Sequence, residues 1–157
     1  HCDLDDVITE FPVFASLHKV WMDKRKDKWL PAWKDFDFED FVGWHRHLIL
    51  YEITPPPFDM IYRIFGSFAS DTYGENFTGR HFASANPEIE DEYDLLHFKL
   101  LKSLHKVGAS TGPIHWFHKE YIKLSFLDLP LSADGIDVTH FLTCMVSEPM
   151  KDPAVSL

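Results

Sequence analysis

Apolar positions along the chain change period several times, and each change marks an element. Phe14, Leu17 and Trp21 recur at helical spacing, and Pro12 suits a first turn, so residues 11–28 read as a helix. Its basic end, where Lys24, Arg25, Lys26 and Lys28 alternate with Asp23 and Asp27, complements the helix dipole and reads as a solvated helix end. Trp29 to Trp33 is an aromatic linker, and a short acidic helix follows near 37–43, with Asp35 or Asp37 as its cap. The period then falls to two. Residues 47–54 form a strand with Leu48 and Leu50 on one face and Ile49, Tyr51 and Ile53 on the other, so both faces look covered. Pro55-Pro56-Pro57 ends it, and a second strand at 59–66 places Ile61, Arg63 and Phe65 opposite Met60, Tyr62 and Ile64. These two are expected to pair antiparallel.

Ser67 is the expected cap of a short helix at 68–73, closed by Gly74, and a turn-rich loop covers 75–82. Pro87 opens the longest helix, 87–107, and Gly108 is its expected stop. At about 100° per residue, Ile89, Tyr93, Leu96, Leu100, Leu104 and Val107 form one stripe, with His97 at its inward edge. Leu95 and Phe98 lie away from that stripe, which allows the helix a second covered side. Three strands complete the chain near 113–120, 122–129 and 136–147, the last two joined by a turn at Ser132-Ala133-Asp134-Gly135. Two strands before and three after a helical middle predict an α+β fold, with one antiparallel sheet and helices on one face.

Composition narrows the function more than the fold. The 157 residues suit one domain, and fourteen Phe and five Trp point to a core of large rings. A formal charge of −10 argues against nucleic acid, whose binding draws on phosphate neutralisation by Lys and Arg. The two cysteines, Cys2 and Cys144, make no disulfide framework and read as free thiols of a reducing compartment. No apolar run approaches the roughly eighteen residues of a membrane span, and no signal peptide opens the chain, so a cytoplasmic location is the expectation.

The order of elements and certain spaced residues resemble the PAS domain family, more closely its small, stand-alone bacterial members. The matching features are Trp21 and Arg25 with Leu30-Pro31, then Tyr62-Arg63-Ile64-Phe65-Gly66 with Thr78-Gly79-Arg80, then Leu129-Pro130-Leu131-Ser132 with Asp134-Gly135. The likeness covers roughly residues 15–148. Ala32-Trp33 depart from it, standing where the family often has a second small or polar residue. The resemblance implies a five-stranded antiparallel sheet in the order 2-1-5-4-3. It also implies a small molecule held between sheet and long helix, or sensing through a partner, and an N-terminal helix that makes a dimer contact. On this reading residues 1–10 are disordered or an expression remnant. Residues 11–148 form the single domain, including the N-terminal helix 11–28, and 149–157 are a loose tail.

Several side chains carry candidate chemistry. Arg63 and Arg80, with Thr78, suit a ligand anion; their structural alternative ties loops to carboxylates or carbonyls while Gly66 and Gly79 permit tight turns. Among ten histidines, His45 and His47 would share a strand face, whereas His115 and His118 would not, and no zinc motif is present. Some PAS sensors ligate haem through a histidine on the long helix, which His97 could match, although a hydrogen-bonded pocket histidine is the plainer reading. A covalently linked flavin would need a cysteine between 67 and 86, and there is none. Ser67, Ser70 and Ser84 near His81 lack a nucleophile elbow. An isomerase- or dehydratase-like enzyme would draw on Asp71, His81 and His115.

The leading expectation is therefore a non-enzymatic sensory domain with an aromatic-lined pocket. Tyr62, Ile64, Tyr73, Tyr93, His97, Leu100, His115, Phe117 and Phe141 are its expected lining, with Arg63 or Arg80 as polar anchor. Its partners are expected to be an unidentified small molecule and either another protein or a second copy, with no nucleic acid or membrane. The rival is a ligand-free interaction or dimerisation module whose interior is filled by its own side chains. Output passes by protein–protein contact, or through an output domain outside this sequence.

Overall fold

A computed structural model describes residues 8–85, 91–113, 123–147 and 150–154. Helix α1 (Ala15–Arg25) follows a 3-10 turn at Pro12–Phe14 and buries Leu17, His18 and Trp21 on one side. It stops earlier than expected, because Lys26 turns left-handed at φ 54°. The acidic segment forms a 3-10 turn at Phe38–Phe41, where the Asp40 carboxylate accepts the Asp37 N–H at 2.6 Å.

Strands β1 (Leu48–Ile53) and β2 (Met60–Phe65) lead into α2 (Ser67–Tyr73), α3 (Phe82–Ala85) and α4 (Asp91–Leu104). Strands β3 (Gly108–Pro113), β4 (Lys123–Leu131) and β5 (His140–Ser147) complete an antiparallel five-stranded sheet in the order β2-β1-β5-β4-β3. The fold is α+β, and the pairing of β1 with β2 is as expected. The cap of α2 is Gly66 rather than Ser67, and Gly74 closes it at φ 84°.

The third strand begins at Gly108, earlier than the sequence pattern suggests. His105, left-handed at φ 54°, closes α4, and Gly108 is already paired with Asp128 on β4. Residues 114–120 of the expected strand lie outside the described residues.

The sheet is covered on both faces rather than one. Strand pairing places Leu48, Leu50, Leu127, Leu129, Leu131, Leu142, Cys144 and Val146 on one aliphatic face, and all are buried. Phe14, Leu17 and Trp21 of the N-terminal segment are buried as well, and the Trp21 indole N–H reaches the Pro130 carbonyl at 3.0 Å. The segment after 148 is not wholly loose. Met150 packs on the core, and buried Asp152 accepts the Ser16 N–H at 2.8 Å and the Ser16 hydroxyl at 2.5 Å.

The opposite face is aromatic and lies under α4. Tyr51, Phe141, Thr143 and Met145 share it, and Phe98 of α4 stands 5.3 Å from the Tyr51 ring and 5.1 Å from Phe141. Among the described residues no helix is long and apolar enough to cross a membrane.

Candidate functional site

The aromatic face divides into a filled half and a polar half. At the β1–β2 end, Tyr62 lies 4.9 Å from Tyr51, 5.3 Å from Phe65 and 5.5 Å from Phe77 between ring centroids, and Tyr73 lies 5.6 Å from Phe77. Burial pushes the hydroxyls of Tyr51 and Tyr73 far above the usual phenol range, which keeps them neutral. The sequence-predicted Tyr62 and Tyr73 therefore meet around Phe77, and Phe141 packs on Phe98, all as rings packed on rings.

The polar half centres on Asp128 of β4. Its position is flanked by Gly108 on β3 and Thr143 on β5. The Thr143 hydroxyl donates to Asp128 Oδ1 at 2.7 Å, and His97 Nε2 lies 2.9 Å from Oδ2. The Asp128 side chain is only 3 % exposed, whereas that of His97 is 33 % exposed. A carboxylate taken out of water needs such partners, and both of its oxygens have one. The hydrogen bond to Asp128 raises the His97 pKa, burial opposes it, and the negative charges of Asp128 and Asp94 add to the rise. The pair can thus hold a proton on a half-open imidazole whose far side rests on buried charge.

Gly108 makes the approach possible. A Cβ there would stand 2.6 Å from Leu101 Cδ1 and 3.2 Å from His97 Cε1, so any other residue would make the ends of these two side chains shift. Further along the same side of β3 come Ser110 and Gly112, which face Phe126 and Leu124 on β4. On this face β3 therefore presents glycine and serine, while β4 presents Phe126 and Leu124 beside them.

Several expected lining residues lie elsewhere. The β1–β2 register shifts between Leu50 and Tyr51, pairing Leu50 with Ile64 and Tyr51 with Tyr62, so Arg63 is an extra residue in a bulge. One extra residue reverses side-chain parity: Ile64 is exposed, and Phe65 joins Tyr62 inside. Arg63 pairs with Glu52, its Nε donating at 2.7 Å, and Arg80 pairs with Glu75 at 2.6 Å while lying over the Phe77 ring. Both guanidiniums are tied to carboxylates, with Arg63 about half exposed. Leu100 is exposed, because Phe98 and Leu101 take the inward positions of α4. Tyr93 belongs to α4, though its side chain is outside the described residues, as are His115 and Phe117.

The spaced motif residues have structural work. Gly79 N–H donates to the Tyr62 carbonyl at 2.7 Å, and Tyr62 N–H to the Arg80 carbonyl at 3.0 Å, joining the loop to β2. Ser132 N–H donates to the Pro31 carbonyl at 2.9 Å, and Asp134 Oδ1 accepts the N–H groups of Ile136 and Asp137. His81 sits 3.3 Å from Asp59 and is half exposed, and Asp71 is exposed on α2. His45 and His47 form a 3-10 turn, not a strand, and among the described residues no three ligating side chains form a metal-sized group. His97 Nε2, the atom a haem iron would need, is engaged by Asp128. Cys144 is a free thiol buried on the aliphatic face.

Asp128, Thr143 and Gly108 were not among the expected site residues. The signal was present, since Asp128 is a lone carboxylate in the apolar run Leu124–Leu131. What defines this chain is an α+β domain whose sheet buries a carboxylate, Asp128, bonded by Thr143 and His97. No family model matches the chain, and no curated protein matches it.

Proposed function

We propose that the chain is a PAS-like sensory domain that holds a small molecule beside His97, between α4 and the β3–β4 half of the sheet. One observation carries this reading: a buried carboxylate, Asp128, steadies a half-open imidazole above a strand floored by glycine and serine. A purely structural ion pair gains little from burial, whereas an oriented imidazole offers a ligand one directional polar contact in an apolar setting. The arginines have no part in it. Ligand occupancy would bias the packing of α4 on the sheet, and the change would pass on by protein contact.

The test is to extract protein purified without denaturation and identify any small molecule by mass spectrometry, then add it back. A compound that raises the melting temperature of the wild type but not of His97→Ala supports the reading; no compound, or equal stabilisation of both, sinks it. The ring-on-ring packing at the β1–β2 end favours the second reading, a ligand-free interaction module. A homodimer through α1 would have to use the helix's polar side, because Phe14, Leu17 and Trp21 are covered by the domain itself.

A further inference from the structure

The hydrogen bonds of the Asp128 cluster leave one nitrogen to spare. The Thr143 hydroxyl is given to Asp128 Oδ1, and His97 Nε2 to Oδ2. Because both oxygens act as acceptors, Nε2 carries a proton whether the imidazole is neutral or charged. Among the described residues no hydrogen bond reaches His97 Nδ1. Buried side-chain nitrogens without a partner do occur there, at His18, Arg25 and His45, and Nδ1 of His97 is not one of them. On a ring that is a third exposed, this nitrogen is open rather than orphaned.

Its surroundings set what it can bind. Phe98 stands edge-on to the imidazole at 5.4 Å, and Leu101 is buried on the same helix. Such neighbours suit an apolar or ring-bearing body. The charged groups that act on His97 are Asp128 on β4 and Asp94 on its own helix, and both are acids. Gly108 of β3 and Thr143 of β5, which flank Asp128, add no charge. The two acids favour the imidazolium, in which Nδ1 also carries a proton and donates. They oppose a second anion, because His97 and Asp128 already cancel as a pair and a carboxylate would leave net negative charge in a poorly hydrated place. An uncharged acceptor takes the hydrogen bond without that cost.

We propose that the site beside His97 selects an uncharged apolar or aromatic carbonyl compound, whose oxygen accepts a hydrogen bond from His97 Nδ1. This rests on the ligand site proposed above and adds the chemical class of its ligand.

Three probes of similar size separate the contributions: acetophenone offers a neutral carbonyl, ethylbenzene none, and benzoate an anionic acceptor. Binding to the full chain is read from the His97 ring resonances in protein with isotope-labelled histidine, assigned by their loss in His97→Gln. Acetophenone is expected to bind about threefold to tenfold more tightly than ethylbenzene. Benzoate should bind more weakly than acetophenone. The acetophenone affinity should rise between about pH 9 and about pH 6, as the imidazolium fills, while that of ethylbenzene stays level. Equal binding of acetophenone and ethylbenzene, tighter binding of benzoate, no response of His97 to any probe, or an acetophenone affinity indifferent to pH overturns the proposal. A retained compound that needs His97 but is anionic or lacks a carbonyl overturns the ligand class and leaves the site standing. Silent probes together with bare protein in native mass spectrometry remove both.

Discussion

The two faces of one sheet differ in kind. On the aliphatic face, β1, β4 and β5 present leucines, Cys144 and Val146, and Trp21 of α1 bonds the Pro130 carbonyl of β4. On the aromatic face the same strands present Tyr51, Asp128, Phe141 and Thr143 beneath α4. The first set needs only volume and burial to be stable. The second places a carboxylate where water is excluded and then provides two hydrogen bonds for it. The proposed function draws on that arrangement.

Substitution should separate the faces. Leu142→Ala removes a fully buried side chain from the aliphatic face and is expected to cost about 3 kcal/mol in denaturant unfolding, with ligand retention unchanged. Asp128→Asn keeps the shape but removes the charge that His97 bonds; about 2 kcal/mol is expected, together with loss of ligand. If Asp128→Asn proved neutral and still bound ligand, the polar face would be no different in kind from the other. Gly108→Ala forces Leu101 and His97 outward and should cost about 1 kcal/mol, with a shift in the His97 ring resonances.

The smallest effect is the pH dependence of stability. His97 has a pKa raised above 6.5 by its bond to Asp128, so its contribution is present below about pH 6.5 and is lost as pH rises through the raised value. His18 and His47 have pKa values lowered chiefly by burial. Their contribution is present above 6.5 and is lost as pH falls through the lowered values. Thermal unfolding across this range should show both limbs in the wild type, and Asp128→Asn should flatten only the alkaline one.

Period-two and helical patterns were enough to read β1, β2, β4, β5 and the long helix, because burial on one or both faces leaves a direct trace in the sequence; they missed α3 and placed the third strand too late. Parity was not legible in β2, where the unpaired Arg63 reverses the alternation and exposes Ile64. The long helix misled for a different reason. Leu96, Leu100 and Leu104 of its apolar stripe are exposed, and the inward side is held by Phe98, Leu101 and the polar His97. Periodicity reports an apolar face without saying what covers it. Gly108 looked like a helix stop, yet its role is contact between α4 and β3, which only the tertiary arrangement reveals.

Native mass spectrometry of untreated protein tests the central claim most directly, comparing wild type with His97→Ala and Leu142→Ala. A small-molecule mass on the wild type and on Leu142→Ala, absent from His97→Ala, is the predicted result. Bare protein in all three, or a mass that survives in His97→Ala, would contradict a ligand site on the aromatic face.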